Sequence, residues 1–365
     1  MNKRIENVCS QIHPADLPTM EEAKKRQAAL AKPPGSLGFL EELSIRLAGM
    51  TGKVHNTVQK CRVVVLCADN GVCEEGVSCT PQSVTLSQMI NLTRGLTGCS
   101  SLAHHFGDEI LVVDVGVQSD YNCPAVLNRK ITYGTKNLYR EPAMTRDEAE
   151  KAIIVGLEVA DRCAADGVDA LGVGEMGIGN TTTSSAILSV LTGKPASVTA
   201  GKGGGLLEEA FQHKIEVIDG AIQKHHPDPN DPIDVLSKVG GLDIAAMVGV
   251  FLGAAKNRIP VVIDGFISVV AALVAARLCP NVKDYMIASH ASFEPGYRLA
   301  LEELSLEAPL LLKMRLGEGS GCPLMFRILD AACAVINEMA TFEEASINDD
   351  YLTEIRKGDH FTVKR

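Results

Sequence analysis

Short apolar stretches alternate with segments of helical periodicity from Cys61 onward, and this alternation dominates the chain. Strands that alternate with helices are typical of α/β proteins, whose strands form a parallel sheet covered by helices. The pattern therefore predicts an α/β fold with a parallel sheet. The predicted strands are Arg62–Ala68, Ile110–Val115, Ala170–Val173, Ile259–Ile263 and Tyr285–Ala288.

Polar or acidic residues follow each predicted strand. In open parallel sheets, ligands bind where the carboxyl ends of the strands meet loops and helix starts. One polar exit of this kind is ordinarily a helix cap, but five together predict a shared crevice. These exits are Asp69–Asn70, Asp114–Gly116, Glu175, Asp264–Gly265 and Ser289–His290.

Helical patterns without intervening strands occupy both ends of the chain. Amphipathic helices are predicted over Ala15–Leu30 and Leu40–Met50, and Pro323 begins a further helix that runs through Met339. Residues 119–150 are predicted to be surface structure.

Composition and charge exclude several classes of partner. The chain has 365 residues, is 46% hydrophobic and carries a formal net charge of −10. Nucleic-acid binding needs clustered Lys and Arg, and no such cluster occurs, so we expect no nucleic-acid partner. The most apolar run, Pro260–Cys279, is interrupted by Asp264–Gly265. It predicts a short strand and a buried helix, so we expect no membrane association.

The amino-terminal segment lacks the apolar stretch of a signal peptide, which predicts a cytoplasmic protein. The 11 cysteines are then expected to be reduced thiols. They show no CxxC or Cys/His ligand spacing, and His104–His105 lie in an apolar helical segment, so we expect no metal.

The stretch Val168–Thr183 combines a buried-strand pattern, four glycines, one embedded acid (Glu175) and a helix start. Free backbone N–H groups at the positive end of a helix favour a phosphate, and glycines let the ligand approach the backbone. The spacing is neither GxGxxG nor GxxxxGK[ST], so a tight strand–helix turn that binds nothing remains open.

A second glycine cluster, Gly203, Gly204 and Gly205, is followed at some distance by Lys214. Glycine amides together with a lysine form a second candidate phosphate site. Glu318 is isolated between glycines just before the last predicted helix. It is either a structural acid that favours the helix dipole or a catalytic base, and its position alone leaves both interpretations open.

A long loop after the first strand presents Ser78, Pro81, Gln82 and Gln88 before the apolar run Met89–Leu92. In a chain with few aromatic residues, Met and Leu are plausible walls for a flat ligand. Ordinary core packing is the alternative for these side chains.

Several motifs occur together and in order along the chain: KPPGSLG, ADNGVxxEGVS followed by PQxVT, DVGV, GEMGIGNTT, DGF, SH followed by a Ser and a Glu, and RLGEGSG. In this combination the chain resembles the nicotinate-nucleotide–dimethylbenzimidazole phosphoribosyltransferase family over essentially its whole length. The family's first strand usually ends in ADHG, whereas this chain has Ala68-Asp69-Asn70-Gly71.

The resemblance implies that a benzimidazole nitrogen attacks the anomeric carbon of nicotinate mononucleotide with inversion. Nicotinate then leaves, and an α-linked ribotide forms. The other ring N–H must lose its proton, and a general base for such a step is commonly worth ~10²–10⁴-fold. The resemblance implies Glu318 as that base and Glu175 as an acid that favours positive charge developing on the ribosyl carbon. It implies no cofactor.

The resemblance also assigns binding residues. The phosphate and ribose are assigned to Gly177, Ile178, Gly179, Asn180, Thr181, Gly203, Gly204, Gly205, Lys214, Asp264 and Ser292. The base is assigned to Ser78, Pro81, Gln82, Gln88, Met89 and Leu316.

The fold implied by the resemblance is a doubly wound, Rossmann-like parallel sheet with a small helical domain built from both chain ends. A large nucleotide- and base-binding domain is expected over residues 60–315, and the small domain over 1–59 plus 316–365. A homodimer is implied, in which the neighbour's small domain helps to cover the site.

Two rival functions remain open. A nicotinate mononucleotide hydrolase would need the same phosphate site but a positioned water in place of the base. A non-catalytic nucleotide sensor would need the phosphate site and neither acid.

Overall fold

The computed structural model describes residues 1–358 of the chain. It divides into two compact units: Met1–Pro14 with Lys60–Met325, and Ala15–Gln59 with the chain from Phe326 onward. The sequence placed residues 1–14 and 316–325 in the small domain, whereas the structure places both in the larger unit. Residues 1–14 belong there because the first helix packs against the larger unit's own helices.

The larger unit is built on one parallel sheet of six strands. The strands are β1 (Cys61–Ala68), β2 (Glu109–Gly116), β3 (Leu127–Asn128), β4 (Ala170–Met176), β5 (Val261–Ile263) and β6 (Met286–Ala288).

Fourteen α-helices lie within the described residues, in both units. They are α1 (Lys3–Gln11), α2 (Leu17–Ala29), α3 (Phe39–Thr51), α4 (Val84–Leu92), α5 (Gly98–Phe106), α6 (Arg146–Ala165), α7 (Asn180–Thr192), α8 (Ala196–Thr199), α9 (Glu208–His225), α10 (Pro232–Val239), α11 (Leu242–Lys256), α12 (Phe266–Leu278), α13 (Pro295–Leu304) and α14 (Cys322–Glu338).

The strand order is β3-β2-β1-β4-β5-β6. The chain therefore moves outward from β1 to β3, returns to the sheet centre at β4, and continues outward to β6. This is the doubly wound arrangement that the family resemblance implied, and its direction reverses between β1 and β4. Ligands of such sheets bind at this switch point, beyond the carboxyl ends of the two central strands.

All five strands that the apolar pattern predicted are present, with shifted ends. The structure continues β4 to Met176, so Glu175 lies within the strand and not after it. The sequence missed β3, which falls in the 119–150 stretch predicted to be surface structure. With only two residues, β3 is too short to show an alternating pattern.

The core of the larger unit is dense around β1 and α11, whose side chains are almost all buried. Gly156 of α6 and Gly249 of α11 let these two helices approach closely, because a Cβ at either position would lie 1.9 Å from a backbone oxygen of the other helix. The apolar run 260–279 forms β5 and α12, as predicted. No helix in residues 1–358 is long and apolar enough to cross a membrane.

In the smaller unit, the segment Ala15–Gln59 packs against the segment that begins at Phe326. Ala23, Ala48 and Ile336 share a buried apolar cluster. The Arg26 guanidinium donates to the carbonyl oxygens of Ile336 and Met339, at 3.3 and 3.1 Å. These contacts join α2 and α3 to α14.

Candidate active site

A cleft lies at the carboxyl edge of the sheet in the larger unit, beside the switch point. Its free volume, including the open mouth, is about 890 Å³. Eleven of the predicted site residues line it: Ser78, Glu175, Gly177, Ile178, Gly179, Asn180, Thr181, Gly203, Gly204, Ser292 and Leu316.

The first glycine loop joins β4 to α7. Gly177 permits close packing, because a Cβ there would lie 2.5 Å from the carbonyl oxygen of Ala68. Gly179 adopts φ +94°, in the left-handed region, immediately before the helix starts at Asn180. The loop thus brings the amino end of α7 to the cleft, as the sequence predicted for a phosphate site.

The Asn180 side chain connects two buried carboxyl groups. Its amide nitrogen donates to Glu175 Oε2 and, at 3.0 Å, to Asp243 Oδ2 at the start of α11. Burial raises the pKa of Glu175 to about 8, and the amide of Asn180 opposes that shift. Burial likewise raises the pKa of Asp243 to about 6. In the ligand-free protein at neutral pH, Glu175 is therefore mostly protonated.

Glu318 is 3% exposed and adopts φ +62°, which its glycine neighbours accommodate. Its Oε2 accepts the backbone N–H of Cys99 at 3.2 Å, and its Oε1 lies 3.5 Å from the amide nitrogen of Gln88. Cys99 lies in the first turn of α5, so this helix, and not the following α14, presents its positive end to the carboxylate.

The backbone of Glu318 lies against the side chain of Glu175, whereas the Glu318 carboxylate contacts Cys99 and Gln88. Glu175 Oε1 accepts the backbone N–H of Glu318 at 3.3 Å. A Cβ at Gly317 would lie 2.6 Å from the same oxygen, so the loop passes directly over Glu175. The loop 316–321 and the end of β4 therefore form one local structure, although they are far apart in sequence.

Asp264 positions this loop. Its side chain is buried, and its two oxygens accept the N–H groups of Gly319 at 3.0 Å and Gly321 at 2.7 Å. Burial raises its pKa to about 7. The structure thus places Asp264 behind the glycines, where it holds the backbone that carries Glu318.

Lys214 on α9 is fully buried and connects the two glycine clusters. Its Nζ donates to Thr181 Oγ1 at 2.9 Å and to the carbonyl oxygen of Gly201 at 3.0 Å. Burial lowers its pKa to about 8. Gly203 and Gly204 line the cleft, and Gly205 is exposed beyond them.

The residues assigned to base binding are more widely distributed than those assigned to the phosphate and ribose, and only some of them line the cleft. Ser78 and Leu316 line the cleft, whereas Gln88 contacts Glu318. The amide nitrogen of Gln82 lies 3.4 Å from the carbonyl oxygen of Asn70, and Pro81 is exposed. Met89 is fully buried in α4, which matches the core-packing alternative.

Sequence reasoning did not single out several residues that line the cleft. A signal was present for some of them, since Glu294 follows the SH motif, Arg315 begins RLGEGSG, and Phe266 ends DGF. The missed residues are Thr80, Met176, Phe266, Ile267, Glu294, Arg315 and Gly317.

Comparisons with known proteins agree with this geometry. A family model described as phosphoribosyltransferase matches residues 12–347. A nicotinate-nucleotide–dimethylbenzimidazole phosphoribosyltransferase of Clostridium perfringens is 50% identical and covers 98% of this chain and 99% of its own length. One from Ruminiclostridium cellulolyticum is 52% identical over 94% of this chain and 97% of its own length.

Solved structures show the same similarity. The crystal structure of the enzyme of that name from Thermus thermophilus has a TM-score of 0.87 and 39% sequence identity. It covers 91% of this chain and is itself covered over 99% of its length. The chain therefore belongs to the nicotinate-nucleotide–dimethylbenzimidazole phosphoribosyltransferase family.

Proposed function

We propose that this chain transfers the phosphoribosyl group of nicotinate mononucleotide to 5,6-dimethylbenzimidazole or a related base. The products are nicotinate and α-ribazole 5′-phosphate, the nucleotide that carries the lower ligand of cobamides. The observation that carries the proposal is the position of Glu318. Its carboxylate lies between Gln88 and the start of α5, and its backbone N–H donates to Glu175, which lines the cleft.

The reaction requires one displacement and one proton transfer. A ring nitrogen of the base forms a bond to the anomeric carbon, and the electrons of the breaking bond go to the pyridine nitrogen of nicotinate. The other ring nitrogen of the base, which carries the N–H, then loses its proton to the Glu318 carboxylate. The backbone N–H of Cys99, which Glu318 accepts, orients the carboxylate for this step.

Glu175 has a different proposed part. Its raised pKa leaves it mostly neutral without substrate. The cationic pyridinium ring of the nucleotide favours its ionised form, because an opposite charge stabilises a carboxylate. Glu175 then stabilises positive charge that develops on the ribosyl carbon.

The 5′-phosphate belongs at the two glycine clusters. The amino end of α7, Gly203 and Gly204 offer backbone N–H groups to it, and Lys214 supplies a cation through its bond to Thr181. Ser292 lines the same cleft. Leu316, Met176 and the Phe266–Ile267 segment offer apolar surface for the flat base.

The larger unit carries all of these proposed contacts. We infer further that the protein works as a cytoplasmic homodimer. The cytoplasmic location is supported by the 11 cysteines, none of which forms a disulfide within residues 1–358. The homodimer is supported by apolar side chains near the cleft that remain largely exposed, namely Phe293 (65%), Leu311 (79%) and Leu312 (52%).

Incubation of the protein with nicotinate mononucleotide, with and without dimethylbenzimidazole, tests the function. Mass spectrometry should detect nicotinate and α-ribazole phosphate only when the base is present, and proton NMR should show the α anomer. Release of ribose phosphate without base would identify a hydrolase. Tight nucleotide binding without turnover would identify a sensor.

Sedimentation velocity over a dilution series, with activity measured on the same samples, tests the assembly. Activity should fall together with the dimer fraction. A fully active monomer would refute the dimeric site.

A further inference from the structure

The carboxylate of Glu294 is a polar group of the cleft that the proposed mechanism does not use. Glu294 lines the cleft just before α13, and its side chain is partly buried. Its Oε2 atom is inaccessible to solvent and accepts no hydrogen bond from any residue in 1–358. A buried acceptor without a donor is costly, and such groups are rare in folded proteins.

The neighbours of this carboxylate belong to the second glycine cluster. Oε2 lies so close to Gly201 that a Cβ there would come within 1.9 Å of it. Burial raises the pKa of Glu294, while the charge of Lys214 and the N–H of Gly203 favour its ionised form. Lys214 itself already donates to Thr181 and Gly201.

A role in capping the following helix does not account for Glu294. It occupies the position before Pro295 at the start of α13, but its side chain makes no capping hydrogen bond. Glu294 as a residue lines the cleft, beside the glycines proposed to hold phosphate. The Oε2 atom of Glu294 therefore remains available to accept a hydrogen bond from a ligand.

Nicotinate mononucleotide offers few donors. Its ionised phosphate, its carboxylate and its pyridinium ring carry no N–H or O–H group, so the 2′- and 3′-hydroxyls of the ribose are its only donors. We propose that Glu294 accepts a hydrogen bond from the ribose diol and so fixes the sugar between the phosphate site and the catalytic acids. This inference rests on the proposed function and names a substrate-binding residue of the same site.

The contact has a physical consequence for the reaction. A ribose anchored at its diol and its phosphate holds the anomeric carbon at a fixed place relative to Glu175 and Glu318. Orientation of this kind accelerates a displacement, because the reacting atoms are held in line. The same contact makes the enzyme selective for ribo- over deoxyribonucleotides.

Calorimetric titration of the full chain tests the inference. The ligands are nicotinate mononucleotide, its 2′-deoxy and 3′-deoxy analogues, and inorganic phosphate. For the unchanged protein, we expect loss of the bonded hydroxyl to weaken binding about tenfold to hundredfold, as for a hydrogen bond to a charged group. In Glu294→Ala, all three nucleotides should bind with the same, weakened affinity, and the affinity for phosphate should not change.

Glu302→Ala is the matched control, since it removes an exposed carboxylate of α13 that pairs only with Arg298 within residues 1–358. It should discriminate among the nucleotides as the unchanged protein does. Thermal unfolding of each variant checks that it folds, and Glu294→Leu, which fills a similar space without an acceptor, replaces Glu294→Ala if the latter is unfolded.

Two outcomes would overturn the inference. The first is full discrimination against both deoxy analogues by Glu294→Ala. The second is tighter binding of both phosphate and nucleotide by that variant, which would show that the carboxylate competes with phosphate. Failure of the proposed function is distinct, since the unchanged protein would then form no α-ribazole phosphate at all.

Discussion

Glu175 and Glu318 lie in similar glycine-rich local sequences, but the groups that surround their side chains in the fold differ in charge. Each is a single acid among glycines, and they are 6% and 3% exposed, so burial does not distinguish them. Glu175 faces the buried acids Asp243 and Asp264, which raise its pKa further. Glu318 also interacts with Asp264, but its carboxylate accepts the N–H of Cys99 at the amino end of α5.

The difference shows that the partner of a buried carboxyl group decides its role more than its burial does. A carboxyl group near other acids holds its proton until a cationic substrate arrives. One that accepts an N–H group at a helix start is oriented by that contact. The fold thus supports the two different roles proposed for these two glutamates.

Glu318→Gln should have the largest effect, because it keeps the size of the side chain and removes its basicity. Turnover should fall by roughly two or more orders of magnitude, while the dissociation constant for nicotinate mononucleotide changes little. Steady-state kinetics with saturating dimethylbenzimidazole measure this, with the exposed Glu209→Gln as control. Turnover near that of the control would transfer the role of base to Glu175.

Lys214→Ala should raise the KM for the nucleotide about tenfold to hundredfold, because a charge-assisted contact to phosphate is lost. The KM for the base should hardly change. Lys202→Ala is the control, since Lys202 belongs to the same glycine cluster but is exposed and pairs with Glu208. Equal losses for both substrates would indicate a folding defect.

The pH dependence of kcat/KM for the nucleotide is a second test of whether the charge of Lys214 contributes to nucleotide binding. Burial lowers its pKa to about 8, so the free enzyme loses this cation as the pH rises through that value. The kcat/KM should therefore decline above pH 8, and Lys214→Ala should lack the decline. A decline of the same size in the variant would assign it to another group.

Glu175→Gln should lower turnover less than Glu318→Gln, by about tenfold, since it removes electrostatic support and not the proton acceptor. It should also stabilise the ligand-free protein. The folded pKa of Glu175, about 8, lies above its ordinary value, so its contribution to stability is present at low pH and is lost as the pH rises through 8.

Thermal unfolding should thus show Glu175→Gln melting about 1–3 °C above the unchanged protein at pH 8.5, with a smaller difference at pH 6. Glu318→Gln should show no such gain, because its carboxylate is already satisfied. A Glu175→Gln protein that is less stable at both pH values would contradict the electrostatic contrast.

The sheet was predictable because parallel strands buried on both faces leave continuous apolar stretches. The positions of the strand ends and the two-residue strand β3 were not predictable, because both depend on hydrogen bonding with neighbouring strands. The glycine loop before α7 was predictable as a turn that begins a helix, and the part of this loop and of Lys214 in binding phosphate stays a prediction.

The network around the acids could not be read from the sequence. Asn180 joins Glu175 to Asp243, and Asp264 holds the backbone at Gly319, through contacts between distant segments. The contact between Glu318 and α5 is another contact between distant segments, so the sequence could not show it. Sequence position favours the adjacent α14, but the tertiary fold brings α5 to the carboxylate.

The central claim is that Glu318 removes the proton of the attacking base. A series of benzimidazoles with increasingly acidic N–H groups tests it most directly, with single-turnover rates measured for the unchanged protein and for Glu318→Gln. The ratio of the two rates should shrink steadily as the N–H becomes more acidic, because a base matters less when the proton leaves more easily. A ratio that stays constant across the series would contradict the account and leave Glu318 a purely structural role.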